Sequence, residues 1–340
     1  MTKYSKRRLI LFAAVSFILL IFDIAFIAIN YWSAKSALNT SLTHRSKEQV
    51  QTIDIALGMT LRNMLQLATH ISHDKDLNQW FFQGKKAVEN EGPQSTAAIA
   101  IRQKMLTKIK PGWDEMTRLF DVRQLHYHLG PGSLSFLRVH RPEKFGDRMD
   151  DVRYTIVDTN REKKARTGFE TGRVYSGLRG VVPLWAINPE TQEQVYVGAL
   201  EVGTSYAALL KLIDNTIGIG SAVLLTRQHV IDNMWPDFVL KRFSEVLAVC
   251  DCYIESTSRS TEETRIMATA LSNVEEGFLA TKSQLIQIDQ KYFSVYYKPL
   301  RDYRALNNSA LPAVGLTLIW DDVTGEINKF HQNIFINITW

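Results

Sequence analysis

Between residues 136 and 147 the chain reads Phe-Leu-Arg-Val-His-Arg-Pro-Glu-Lys-Phe-Gly-Asp. On an extended strand side chains alternate faces, so Leu137 and Val139 point one way and Phe136, Arg138 and His140 the other. The first face suits packing against a helix. The second joins an aromatic ring, a permanent cation and a titratable imidazole, an unusual set for plain core. From Arg138 to Arg179 eleven Lys or Arg residues stand against seven Asp or Glu. Such a concentration favours a pocket for a small anion, held by guanidinium fork bonds to a carboxylate or similar group. The competing reading is a solvated face whose charges pair among themselves.

Other chemistry-bearing residues point to less. His126 and His128 place two imidazoles on one face of a strand, which could begin a metal site. No neighbouring carboxylate or cysteine completes it, so the pair is expected on a surface strand, with no metal. Gly172 to Gly180 superficially suggests a phosphate cradle, but it does not lie between a strand and a helix of a parallel unit and reads as a loop entering a strand. Cys250 and Cys252 are too close for an easy unstrained disulfide and too few for a metal, and are expected as small buried or half-buried residues. Gly-x-Ser-x-Gly, His-Glu-x-x-His, phosphate-loop and calcium-loop signatures are all missing. The sequence therefore predicts neither catalysis nor a cofactor. Net charge is +5, and four basic residues (Lys3, Lys6, Arg7, Arg8) belong to the N-terminal leader. What remains is close to neutral and gives no reason to invoke nucleic acid.

These residues need elements to hold them. Residues 9–29 are apolar except for Ser16 and Asp23. A bilayer core of roughly 30 Å takes about 20 such residues in helix, so the stretch is long enough to span it. Basic residues before it and Tyr31-Trp32 after it orient the rest of the chain outward. A cleaved signal is the rival, but its apolar region is typically about 7–15 residues. From Leu38 to Ile71 apolar residues recur at helical spacing, predicting one long amphipathic helix to about residue 73. Residues 78–117 continue as helix, with breaks expected at 91–93 and 111–112. The period then becomes two. Residues 125–129 and 133–140, joined by Gly-Pro-Gly, predict a hairpin, and 153–158, 180–184 and 194–202 predict further strands. Residues 205–213 return to helix. A second unit repeats the pattern, with strands at 221–226, 252–255, 284–288, 292–299 and 313–320 and helices at 236–246 and 262–271. A last helix is predicted over 323–337.

On these residues the chain resembles the double Cache sensor domains of bacterial transmembrane receptors. The resemblance rests on the anchor and long helix, on 136–147, on the 155–160 element, and on Gly-Leu-Arg-Gly-Val-Val-Pro at 177–183 followed by Val-Gly-Ala-Leu-Glu at 197–201. It covers about residues 32–325 and implies an α+β architecture: an N-terminal transmembrane helix, a long stalk helix, then two PAS-like antiparallel-sheet Cache subdomains in tandem. The division expected is a cytoplasmic leader 1–8, a transmembrane helix 9–32, stalk and helical segment 33–118, a membrane-distal subdomain 119–215, a membrane-proximal subdomain 216–322, and a C-terminal helix 323–340 leading to a second span. The resemblance implies the extracytoplasmic sensing region of a signal-transduction receptor in a bacterial inner membrane, its bulk periplasmic and the chain homodimeric. Its relatives carry chemoreceptor, diguanylate cyclase or histidine kinase outputs. The distal pocket would take a small molecule, lined by Phe136, Arg138, His140, Tyr154, Arg173, Tyr175 and Glu201 and capped by Trp113. Ligand would shift the long helix and the last helix. A periplasmic module that docks a partner protein, or a tethered enzyme, are the alternatives.

Overall fold

The structure, a computed structural model, describes residues 3–269 and 282–339. Three helices come first: α1 (Lys3–Ile71), α2 (Lys75–Glu91) and α3 (Thr96–Phe120). Next come β1 (Gln124–Leu129), β2 (Leu134–Arg138), α4 (Tyr154–Glu162), β3 (Arg166–Thr171), β4 (Ser176–Ile187) and β5 (Gln194–Thr204). α5 (Tyr206–Ile217) leads to β6 (Gly220–Thr226), α6 (Arg227–Asn233), α7 (Pro236–Arg242), β7 (Cys252–Thr257) and α8 (Thr261–Ala268). The chain ends in β8 (Lys282–Ile288), β9 (Lys291–Leu300), α9 (Tyr303–Asn307), β10 (Gly315–Asp322) and α10 (Thr324–Thr339).

One five-stranded sheet has the order β2-β1-β5-β4-β3 and the other β7-β6-β10-β9-β8. The second repeats the first strand for strand, the signature of two PAS-like sheets in tandem. Every strand pair of the first sheet is antiparallel. Local chemistry sets the helix starts: Asp74 caps Leu77 N–H at 3.0 Å, and Ser95 caps Ala98 N–H at 3.2 Å. On one face of the first sheet Phe81, Met105 and Trp113 from α2 and α3 pack with Met64 and Ala68 of α1 over Tyr127, Val182 and Leu200.

The contacts divide the chain into two units. One comprises Thr52–Lys282 and Tyr296–Trp320 and contains the whole first sheet. The other comprises Met1–Gln51, Ser283–Val295 and Asp321–Trp340. Within the latter, Leu42, Val323 and Ile327 form a small buried cluster, and Arg45 pairs with Asp321 at 2.6 Å and with Glu326. The last helix therefore packs along the first. Among the described residues α1 contains a stretch long and apolar enough to cross a membrane, and its large side chains from Ile10 to Ile29 are exposed.

Several expectations are corrected. Residues 153–158, read as strand, open α4; Thr155, Ile156, Thr159 and Asn160 are buried at helical spacing, and packing on the sheet overrides their β-branched preference. α3 runs through Pro111. That proline is exposed, while Met105 and Trp113 on the helix are buried, so tertiary packing holds the helix across the missing N–H. β3, α6 and α9 were not anticipated. Cys250 is half-buried and Cys252 buried, as expected, but the two are joined in a disulfide. Residues 270–271 of the helix expected at 262–271 lie outside the described residues.

A buried acid on β7 gives the second sheet a pH dependence. Glu255 is held by Arg242 at 2.6 Å, yet its Oε2 has no hydrogen-bond partner. Burial raises its pKa to about 7, against the pull of Arg242. A carboxyl with a raised folded pKa holds its proton longer folded than unfolded. Its contribution is thus complete below the ordinary value of 4.5 and is lost as pH rises to about 7. Stability of the chain is expected to decline across that window by up to about 1.4 kcal/mol per pH unit. Glu255→Gln should flatten that decline in denaturant titrations between pH 4.5 and 7; an unchanged slope would assign it to other groups.

Candidate functional site

The face of the first sheet away from α2 and α3 carries charge. β1 turns Tyr127 toward Phe81, ring to ring at 5.3 Å, and so turns His126 and His128 to the opposite face. The antiparallel register sets Glu201 of β5 directly across from His126. Glu201 Oε2 then lies 3.3 Å from His128 Nε2 and 3.6 Å from His126 Nδ1, and the two rings are 3.6 Å apart. Val181 is the β4 partner of Glu201, so Arg179, two residues before it, is a diagonal neighbour on the same face. Arg179 pairs with Glu201 Oε1 and donates to Gln124. Its Nε lies 3.7 Å from Glu170 Oε2, on β3. Glu170 in turn accepts from Thr155 N–H and Thr155 Oγ1–H, each at 2.7 Å, at the start of α4.

Arg153 completes the group. It lies over Gly172, where a Cβ would stand 2.7 Å from its Nη2, so only glycine leaves this guanidinium its place. His126, His128, Arg153, Glu170, Arg179 and Glu201 are all buried. Arg153 Nε and Nη1 and Arg179 Nε and Nη2 nevertheless have no hydrogen-bond acceptor. Burying a charged donor without an acceptor is expensive, so these four nitrogens are costly donors in the fold.

Electrostatics separates the two carboxyls. Burial alone would raise Glu201, but Arg179, Arg153 and the two imidazoles hold it well below the carboxylate range. Burial pushes Glu170 up, against the opposing pull of Arg179 and Arg153. Burial lowers His126, with His128 beside it adding to the effect, and burial lowers His128 as well. Both rings are therefore neutral near pH 7. Burial also brings His140 down to about 4 and, with Arg179 nearby, Arg153 to about 10.

The residues singled out from the sequence are partly brought together. Glu201 is at the centre. Arg138 is the β2 partner of His126, but its guanidinium is spent on Asp147, with two bonds at 2.8 Å, and on the Lys144 carbonyl. The His140 ring is 6.2 Å from that of His126, and its Nδ1 lies 3.3 Å from the Leu125 carbonyl. Phe136 goes the other way. A bulge pairs His128 with Ser135 and Tyr127 with Leu137, leaving Phe136 as the extra residue. Its ring joins the core 5.3 Å from Phe81, and period two is lost. Trp113 is in the same core. Tyr154 stacks on Arg304 at 4.3 Å, Arg173 pairs with Asp151, and Tyr175 is exposed beside Arg242. None of these three reaches Glu201.

Arg153, Glu170 and Arg179 belong to the buried charged face, although the sequence marks them only as part of the charge run from 138 to 179. The sequence also placed His126 and His128 on a surface strand without a carboxylate; they are buried, and Glu201 meets both. The signal available was the alternation itself: Glu201, Arg179 and Glu170 each fall on the face of their strand that the flanking apolar residues leave.

The family described as the double sensory domain of two-component sensor kinases, dCache_3, matches residues 89–326. Among solved structures the chain is similar to the sensor domain of the histidine kinase DctB from Vibrio cholerae, at 9% identity and a TM-score of 0.43, covering 83% of this chain and 98% of that one. It is similar to the LuxQ periplasmic domain from Vibrio cholerae, at 12% identity and a TM-score of 0.36, covering 81% and 98%. A third likeness, at 10% identity and a TM-score of 0.25, is to the periplasmic domain of RsbU from Chlamydia trachomatis, covering 81% and 99%. No curated protein sequence matches. The family match spans more than two thirds of the chain and includes every residue of the charged site. The chain belongs to the double Cache family and is an extracytoplasmic sensor domain of the signal-transduction type.

Proposed function

We propose that the charged face of the first sheet is the receptor site for a small organic anion, and that its occupancy is conveyed through β4 to α1. The observation that carries the reading is the set of four buried guanidinium nitrogens on Arg153 and Arg179 without acceptors. A carboxylate supplies acceptors in the planar fork geometry that guanidinium donors match. In this reading residues 119–215 form the ligand-binding subdomain and 216–322 the second, as the sequence divides them.

A route to the helix supports the second half. Arg179 faces the site, so its neighbour Gly180 faces the other side of the sheet. There the α1 backbone comes so near that a Cβ on Gly180 would lie 2.6 Å from Met64 C and 2.7 Å from Leu65 Cα. α1 is one uninterrupted helix from Lys3 to Ile71, and α10 packs against its Leu42 region. Helix shifts in receptors of this kind of construction are of order 1–2 Å. Ligand biases such a shift only by its differential affinity for the two positions.

Calorimetric titration of the full chain in detergent micelles, with a panel of mono- and dicarboxylates, tests the site. At least one is expected to bind, and Arg153→Gln should weaken it about 10–100-fold, the worth of one or two hydrogen bonds to a charged group. Binding unaffected by that substitution, or no binding across the panel, would remove the anion from the proposal.

A further inference from the structure

We propose that His126, His128 and Glu201 form a binding site for a divalent transition-metal ion, zinc being the best match to their chemistry. His128 Nδ1 lies 3.3 Å from the Ser133 carbonyl and Nε2 3.3 Å from Glu201 Oε2; both partners accept, and a neutral ring carries one proton for the two. With the proton on Nδ1, Nε2 would be left to coordinate beside Glu201 Oε2. An ionised carboxylate also only accepts. His126 Nδ1 lies 3.6 Å from the same carboxylate oxygen, so three potential ligand atoms converge in a buried site. With an ion among them, His128 Nδ1 would donate to Ser133 while His128 Nε2, His126 Nδ1 and Glu201 Oε2 coordinate.

The spacing fits. Two ligands about 2.0–2.1 Å from a tetrahedral ion are about 3.3–3.4 Å apart. Glu201 Oε2 stands 3.3 and 3.6 Å from the two ring nitrogens, and the three ligand atoms lie within 4.8 Å of one another, so the widest pair closes on the ion when it binds. The surroundings are those of metal ligands. Ligating imidazoles donate their second ring nitrogen to a carbonyl, carboxylate or other fixed oxygen, which sets tautomer and ring orientation. His128 has the Ser133 carbonyl for this, and His126 Nε2 has Ser135 Oγ at 2.8 Å. Glu201 is oriented through its other oxygen, Oε1, by Arg179, which leaves Oε2 for the ion.

Two imidazoles and one carboxylate leave a fourth position, as zinc sites with an exchangeable ligand do. An ion here would add positive charge to a group that already holds Arg153 and Arg179. That surplus favours an anion, so metal and organic anion would bind cooperatively, although each site stands on its own residues. A sulfur-free donor set of this kind follows the usual order of divalent affinities, so cobalt and nickel report on it as well as zinc.

The test uses the full chain in micelles, first stripped with a chelator. Zinc is expected to return at one equivalent per chain by mass spectrometry of the desalted protein. Cobalt should give visible ligand-field bands of a low-coordinate nitrogen–oxygen site. His126→Gln with His128→Gln should abolish both signals while leaving the Glu201–Arg179 pair in place. Ser135→Ala, one shell out, should weaken zinc about 10–100-fold. His229→Gln, outside the cluster, should change nothing. If that double variant does not fold, His128→Gln alone carries the comparison, with folding checked by circular dichroism. Zinc retained equally by the His128 variant, no cobalt spectrum, or a nuclear magnetic resonance signature of protonated His128 in the stripped chain would each overturn the proposal. Titrating organic anions with chelator present keeps the two readings separate: loss of metal binding leaves the Arg153 result standing, and the reverse.

Discussion

Arg179→Met is expected to cost about 3–5 kcal/mol of stability, and adding Glu201→Gln should restore most of it. The guanidinium is fully buried and serves two carboxyls at once, pairing with Glu201 Oε1 and standing 3.7 Å from Glu170. Removing it leaves Glu201 ionised in a site away from water, with only neutral imidazoles and the more distant Arg153 in compensation. The pair itself is a different matter. Two desolvated charges gain little over a well-packed neutral pair, because solvation is surrendered twice. The asymmetry predicts strong non-additivity, an interaction energy of about 0.5–3 kcal/mol or somewhat beyond in a double-mutant cycle. Urea titrations of the wild type, both single variants and the double variant measure it. Additive effects would mean that Arg179 and Glu201 are not energetically one unit, and the charged face would lose its centre. Neutralising the pair also removes half of the unpaired guanidinium donors. The double variant should therefore be stable yet bind carboxylates weakly, which separates folding from recognition.

The elements near this site were legible where the signal was local. The hairpin of β1 and β2 announced itself through alternation around Gly130-Pro131-Gly132, and β4 and β5 through apolar runs flanking Asn188–Gln192. Charge density between Arg138 and Arg179 marked the stretch that supplies Arg153, Glu170 and Arg179 to the buried charged face. What was hidden depended on pairing between distant strands. His128 and Glu201 are 73 residues apart in sequence, and only the β1–β5 register makes them neighbours. A single bulge moved Phe136 from the charged face to the core, and no spacing rule marks where a bulge falls. α4 was misread because Thr155, Ile156 and Val157 favour strand locally, whereas the sheet needs a helix to cover Val181 and Ala199, which Ile156 does. Arg153 and Glu170 were counted as charges but not placed, since their burial follows from that same helix.

Gly180→Ala should move α1 and not merely weaken the fold. The new methyl would run into Leu65 N and stand 2.6 Å from Met64 C, and ordinary contact begins at 3.4 Å, so helix or strand must give by at least about 0.8 Å. Its obstacle is backbone, which cannot rotate away as a side chain would. Overpacking of this kind costs about 1–3 kcal/mol, and here the upper end is expected because the residues on either side are buried sheet. A displacement of that size approaches the 1–2 Å over which packed helices switch. The substitution should therefore act as a mechanical bias on the element proposed to carry the signal, shifting carboxylate affinity although Gly180 touches no ligand. Gly58→Ala is the contrasting change on the same helix. Nothing lies within 4 Å of its Cβ, so alanine there should stabilise by about 0.5–1 kcal/mol through helix propensity alone. Opposite signs for two Gly→Ala changes, one beneath α1 and one on it, would tie the sheet to the helix by packing. Equal stability and equal carboxylate affinity for Gly180→Ala and the wild type would cut the link from Arg179 to α1, and the receptor would need another route outward.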